Sequence, residues 1–209
     1  MNMKYMLGAF GLLLCLAVGT ARSESLVGGS AEAGKPKALT CGACHGADGN
    51  SVNPMWPSVA GQHSTYLYDQ LQAFKSGTRS DILMSAQTLA LNEQDMRDLA
   101  VYFESQTAAA KPVANVTTVT NGEELYRGGD DEAGVPACLA CHGPTGRGNP
   151  AASYPSLRGQ YAAYTEKQLR DYASGARKSD GPTKVMRDIA QRLSDKDIVD
   201  LASYIQGLK

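Results

Sequence analysis

The chain reads as all-α, built from two tandem copies of one small domain. Three features predict this. First, shifted by about 98 residues, the sequence matches itself. Trp56-Pro57-Ser58-Val59-Ala60-Gly61-Gln62 lies over Tyr154-Pro155-Ser156-Leu157-Arg158-Gly159-Gln160. Leu71, Phe74, Ser76-Gly77 and Arg79 lie over Leu169, Tyr172, Ser174-Gly175 and Arg177. A repeat this long is a duplicated domain, because solenoid periods are shorter. Second, apolar residues recur at helical spacing in both copies. Third, no segment carries the period-two alternation of a substantial sheet.

Taken in order, the elements begin with an export signal. Lys4 supplies a positive start, residues 7–18 are an apolar run, and small or polar residues follow. The run is too short to span a bilayer, which needs about 20 apolar residues, and suits a signal peptide over residues 1–23, cleaved near Ala21-Arg22-Ser23. Cys15 follows three leucines, not the small residue that precedes a lipoprotein cysteine. The first domain then covers 24–106. Residues 64–76 place Leu67, Leu71 and Phe74 on one helical face, and Gly77 is a natural stop. The last helix of each copy opens at Asn92 or Ser194, with Asp95 or Asp197 three positions on, as in a capping box. Ala-rich residues 107–117, with Pro112, read as a linker. The second domain covers 118–209 and carries an extra loop over 128–136. Its Asp130-Asp131-Glu132 run reads as solvated loop, because the carboxylates lack an EF-hand spacing.

A formal net charge of −1 argues against a nucleic-acid partner. The copies differ in balance. Residues 24–106 carry nine acids and five bases, while 118–209 carry twelve of each. That asymmetry is able to orient a redox partner, although an ordinary solvated surface is the commoner explanation. Beyond the signal, all four cysteines fall inside two identical motifs, so no thiol is spare for a disulfide.

Those motifs are Cys41-Gly42-Ala43-Cys44-His45 and Cys138-Leu139-Ala140-Cys141-His142. Cys-X-X-Cys-His is the spacing of c-type haem attachment: two thiols form thioethers to one porphyrin, and the adjacent histidine is the proximal iron ligand. Two covalent haem c groups, with His45 and His142 on their irons, are the expectation. A four-cysteine zinc site would leave both histidines without a role.

The sixth ligand decides the chemistry. A methionine thioether raises the potential and favours electron transfer, whereas an open position admits substrate or oxygen. Of three histidines two are proximal, and the third, His63, aligns with Tyr161, so it reads as a surface or helix-start residue. Outside the signal the methionines are Met55, Met84, Met96 and Met186. Met84 and Met186 occupy matching positions, each seven residues before an aligned leucine (Leu91, Leu193). Met96 aligns with Ile198 on an apolar helix face, and Met55 has no methionine counterpart. Met84 and Met186 are therefore the expected iron ligands. A ligating histidine also needs its other ring nitrogen hydrogen-bonded. The carbonyls of Pro57 and Pro155 are candidates, though a rigid turn explains the same prolines. Arg79 and Arg177 suit haem propionates, but exposed helix-end arginines would look the same. Trp56 and Tyr154 wall the haem pockets or fill core.

With these motifs in hand, the mature chain resembles the dihaem cytochromes c4 of bacterial periplasms. The resemblance rests on both Cys-X-X-Cys-His strings, both Pro-Ser-X-X-Gly-Gln segments and the stretches beginning at Met84 and Met186. It implies two class I cytochrome c domains related by pseudo-twofold symmetry, and His/Met ligation of both irons. It also implies that Pro57 and Pro155 accept from the proximal histidines. The implied function is non-enzymatic: a soluble or loosely membrane-associated carrier between redox proteins, with a donor such as a quinol-oxidising complex and a terminal oxidase as acceptor. Two other readings share these residues. One is a dedicated dihaem subunit of a flavin- or sulfur-oxidising dehydrogenase, which fold cannot exclude. The other is a dihaem peroxidase, disfavoured because both irons have a methionine candidate.

Overall fold

Five α-helices recur in the same order in each half of the chain. The structure, a computed structural model, describes residues 25–209, so the signal-peptide reading of residues 1–23 lies outside the described residues. The first half contains α1 (Ala31–Lys37), α2 (Gly42–His45), α3 (Ser64–Ser76), α4 (Ile82–Thr88) and α5 (Glu93–Glu104). The second contains α6 (Val119–Gly128), α7 (Leu139–His142), α8 (Ala162–Ala173), α9 (Val185–Ala190) and α10 (Asp195–Gln206). Among the described residues the β-structure is limited to two isolated bridges, Asp130 to Val135 and Asn149 to Tyr154.

In each copy the first helix crosses the last (α1 on α5, α6 on α10) and the third packs against both the fourth and the last. The first crossing is so close that it demands glycine. A Cβ on Gly34 would fall 2.2 Å from the Asp98 carbonyl oxygen, and one on Gly122 would fall 2.4 Å from that of Asp200. Capping boxes start both last helices, Asn92 with Asp95 and Ser194 with Asp197. Each satisfies amides that an α-helix otherwise leaves open. Gly77 ends α3 in the left-handed conformation.

The cores differ in size. In the first domain Ala38, Leu99 and Phe103 are buried together, flanked by Leu67, Leu71 and Leu91. In the second the buried cluster is Leu125, Tyr126, Leu201, Tyr204, Ile205 and Leu208. Tyr126 is fully buried, and its hydroxyl donates to the Gly143 carbonyl at 2.7 Å.

The halves meet through their repeated Pro-Ser-X-X-Gly-Gln segments. The Gln62 side chain accepts from Ser156 N–H (2.8 Å) and donates to the Ser156 carbonyl (2.8 Å). Gln160 does the same to Ser58, at 3.0 and 2.9 Å. This exchange is reciprocal, as a pseudo-twofold relation requires. The segment between the halves is strapped down along its length. Asn50 binds Thr107 and Ala109, Lys111 donates to the Gly159 carbonyl, Gln206 donates to the Pro112 carbonyl, and Ser203 Oγ accepts from Asn115 N–H.

Candidate functional sites

Each Cys-X-X-Cys-His string folds as a single helical turn. The Cys41 carbonyl accepts the His45 amide at 3.0 Å, and Cys138 accepts that of His142 at 2.9 Å. Positions i and i+3 of a helix share one face, so Cys41 with Cys44, and Cys138 with Cys141, present their sulfurs side by side next to the histidine. All four thiols are half-buried and none is disulfide-bonded. Burial pushes the Cys41 thiol above its ordinary range and the Cys138 thiol up to about 11.

Both histidines are buried, at 8 and 7% exposure. His45 Nδ1 lies 2.8 Å from the Pro57 carbonyl oxygen, and His142 Nδ1 lies 3.0 Å from that of Pro155. A carbonyl only accepts, so Nδ1 carries the hydrogen in each ring and Nε2 keeps its lone pair. Burial lowers both histidine pKa values, against the opposing pull of the proline carbonyls. A neutral imidazole with a fixed tautomer and a free Nε2, beside two thiols on one helical turn, is the donor set that a covalent haem requires. The residues fit the cofactor.

The methionines sit apart from these turns. Met84 is half-buried in the first turn of α4, where its N–H donates to Asp81 Oδ1 at 3.1 Å. Met186 is half-buried in α9. Met96 is in the core at 4% exposure, and Met55 is 54% exposed. Trp56 is half-buried, while Tyr154 is 37% exposed and sets its ring 6.4 Å from that of His142.

Three residues lie elsewhere than a surface reading of the sequence suggests. His63 does stand at the start of α3, yet its Nε2 is 2.6 Å from the Arg147 carbonyl of the other domain, and its counterpart Tyr161 donates to the Ser51 carbonyl at 2.8 Å. Arg79 and Arg177 are not exposed helix ends: they are 8 and 4% exposed and meet across the domain boundary. Sequence reasoning also missed the role of Gln62 and Gln160. The signal was present: these polar residues recur in both copies yet are not needed to attach haem. The Asp131 and Glu132 side chains are exposed, and Asp130 accepts from Ala133 N–H within its own turn.

Comparison with known proteins agrees with this architecture. A family model described as cytochrome c matches residues 31–107 and again 119–209. Cytochrome c4 of Pseudomonas aeruginosa is 48% identical over 180 residues, covering 86% of this chain and 89% of that protein. A thiosulfate dehydrogenase electron acceptor of Thiomonas intermedia is 37% identical, covering 83% of this chain and 80% of that one. The crystal structure of reduced recombinant cytochrome c4 from Pseudomonas stutzeri superposes with a TM-score of 0.84 at 46% identity, over 87% of this chain and all of that one. The chain belongs to the cytochrome c4 family: a non-enzymatic electron-transfer protein of two tandem all-α cytochrome c domains, each carrying one covalently attached haem c.

Proposed function

We propose that the chain is a periplasmic dihaem carrier that passes electrons from a quinol-oxidising complex to a terminal oxidase. In this reading Cys41, Cys44, Cys138 and Cys141 hold the two haems. His45 and Met84 ligate one iron; His142 and Met186 ligate the other. The domains are 24–106 and 118–209, joined by 107–117 and preceded by the export signal of 1–23.

The observation that carries it is the paired geometry of the histidines. In both copies a buried imidazole donates through Nδ1 to a proline carbonyl, which fixes the ring and makes Nε2 a better donor to a metal. When bound, haem supplies a one-electron ferric/ferrous couple. The chain's own residues set its operating range. Thioethers from Met84 and Met186 would raise the potential and would leave no place on the metal for oxygen or peroxide, and burial lowers the pKa of both histidines, which favours the neutral ring. No residue is asked to transfer a proton or attack a substrate.

A second reading is favoured by one finding: a relative that is a thiosulfate dehydrogenase electron acceptor. Here the chain accepts from a sulfur-oxidising dehydrogenase instead of a quinol-oxidising complex. Rapid-mixing kinetics separate the two. Fast reduction by a quinol-oxidising complex and fast re-oxidation by a terminal oxidase support the first. Reduction by thiosulfate dehydrogenase, with no response to the quinol-oxidising complex, establishes the second.

A further inference from the structure

The pseudo-twofold relation puts a histidine on one side of the domain boundary and a tyrosine on the other. His63, at the start of α3, sets Nε2 2.6 Å from the Arg147 carbonyl oxygen of the second domain. Tyr161, at the start of α8, donates its hydroxyl to the Ser51 carbonyl of the first at 2.8 Å. Behind each stands the final residue of its own domain's last helix. Glu104, which ends α5, accepts from the Ser64 amide at 2.9 Å, and Gln206, which ends α10, accepts from the Ala162 amide at 2.9 Å. The two sites are built alike and differ in a paired way. Where the crossing side chain is an imidazole, the helix-end acceptor is a carboxylate. Where it is a phenol, the acceptor is an amide, and neither carries a charge near neutral pH.

The His63 ring lies between two oxygens. A carbonyl only accepts, so Nε2 carries a hydrogen toward Arg147. Nδ1 faces Glu104, with 4.0 Å between Nδ1 and Oε1. In a neutral imidazole with its hydrogen on Nε2, Nδ1 turns a lone pair toward that carboxylate. A proton on Nδ1 converts the approach into an ion pair, and the bond to Arg147 becomes charge-assisted. The side chains are 18% exposed for His63 and 34% for Glu104, so water screens the pair only in part. The charged groups facing the ring are Glu104 from α5 and, on the loop of the second domain, Arg147, whose own side chain is exposed. A cation is unfavourable at a helix start, and the carboxylate offsets that cost.

We propose that His63 is a proton-operated clasp between the two domains, gripping Glu104 of its own domain and the Arg147 carbonyl of the other more tightly as pH falls from about 8 to about 5. The sign follows from the proton count. The closed clasp holds one proton more than the open one, so lowering the pH favours closure. The Tyr161 site, with Gln206 behind it, has no such proton to gain and stays as it is. The chain has three histidines, and His45 and His142 are each committed to a proline carbonyl. His63 is therefore the imidazole left to take up a proton. The device ties the packing of the two haem-bearing domains to the pH around the protein, whichever redox partners it serves.

Hydrogen exchange of the holoprotein, followed by NMR at about pH 5.5 and about pH 8, tests this in wild type, His63→Tyr and Glu104→Gln. Each substitution borrows the residue that does the same job in the second domain, and either variant alone decides the matter if the other does not fold. The reporters are the Ser58 and Ser156 amides, whose bonds to Gln160 (3.0 Å) and Gln62 (2.8 Å) cross the boundary. The amides of Leu99 and Leu201, in the two cores, are the reference for global opening. After correction for intrinsic exchange rates, wild type should protect the reporters about two- to fivefold more at the lower pH, relative to the reference, as befits a partly exposed ion pair. Either substitution should abolish that difference and leave haem content unchanged. Equal protection at the two pH values in wild type would overturn the inference. So would a difference that survives in either variant, or one confined to the amides of α3.

Discussion

The two domains hold equivalent methionines by different means. In the first, Asp81 caps α4, its carboxylate accepting from the amides of Leu83 and Met84 at 3.0 and 3.1 Å. In the second, four more residues separate the arginine from the methionine, and the chain enters α9 through Lys184 in a left-handed conformation, with φ of 54°. Lys184, at the start of α9, makes no side-chain cap. Instead Asp180 accepts from both the N–H (3.0 Å) and Nε (2.7 Å) of Arg187, the residue after Met186. Asp180 is 4% exposed and Arg187 14% in this pair. A helix cap and a buried ion pair thus do the same job, and they should fail differently. The surroundings differ as well. Ile82 and Leu83 beside Met84 are 90 and 53% exposed, while Val185 beside Met186 is 41% exposed. Tyr126, fully buried in the second domain, corresponds to Ala38 in the first.

The largest expected effect comes from the methionines themselves. Met84→His or Met186→His should each remove half of the methionine–iron band and lower one midpoint potential. The drop should be a substantial part of the roughly 0.8 V range that axial ligands span. An unchanged potential would assign the ligand to another residue. Next comes the ion pair. Asp180→Ala leaves Arg187 buried without its partner and should cost about 3–5 kcal/mol, the usual penalty for breaking a buried pair from one side. Denaturant unfolding of the holoprotein measures it. Asp81→Ala removes only a cap and should cost about 1 kcal/mol. Equal costs for the two changes would mean that the two devices are not different in kind.

The smallest effect is a pH dependence traced to Asp98 in the first domain. Burial raises the Asp98 pKa, but bonds from Lys37 (2.7 Å), Gln94 and the Ser30 amide outweigh it and hold the carboxyl below its ordinary range. A carboxyl depressed in the folded state stabilises fully above its unfolded value of about 3.9. That contribution is lost as pH falls through the folded value. Unfolding midpoints measured between about pH 5 and pH 2 should therefore decline, and Asp98→Asn should make the decline shallower. An identical decline in the variant would place the acid sensitivity elsewhere.

Much of this was legible in the sequence, for a physical reason. Haem attachment, capping boxes and the Gly77 stop depend on residues within about one helical turn of each other, so spacing alone reports them. The choice of Met84 and Met186 rests on duplication as an internal control: beyond the signal, they alone among the methionines recur in register. What stayed hidden depends on contact between the copies. Nothing local distinguishes a buried Arg79 from an exposed one, or predicts that Gln62 binds the backbone of Ser156. The hold on the linker is likewise hidden, because Asn50, Gly159, Ser203 and Gln206, which strap it down, come from distant positions. Repetition was the available clue here too: Tyr66, Gln70 and Arg79 recur as Tyr164, Gln168 and Arg177 at one constant offset.

One measurement addresses the central claim directly: the haem-to-chain ratio of the purified oxidised protein, taken together with the intensity of its methionine–iron charge-transfer band. The account predicts two covalent haems per chain and a band of full two-site intensity, falling by half in either Met84→His or Met186→His. A single haem, or a band that survives both substitutions, would contradict it.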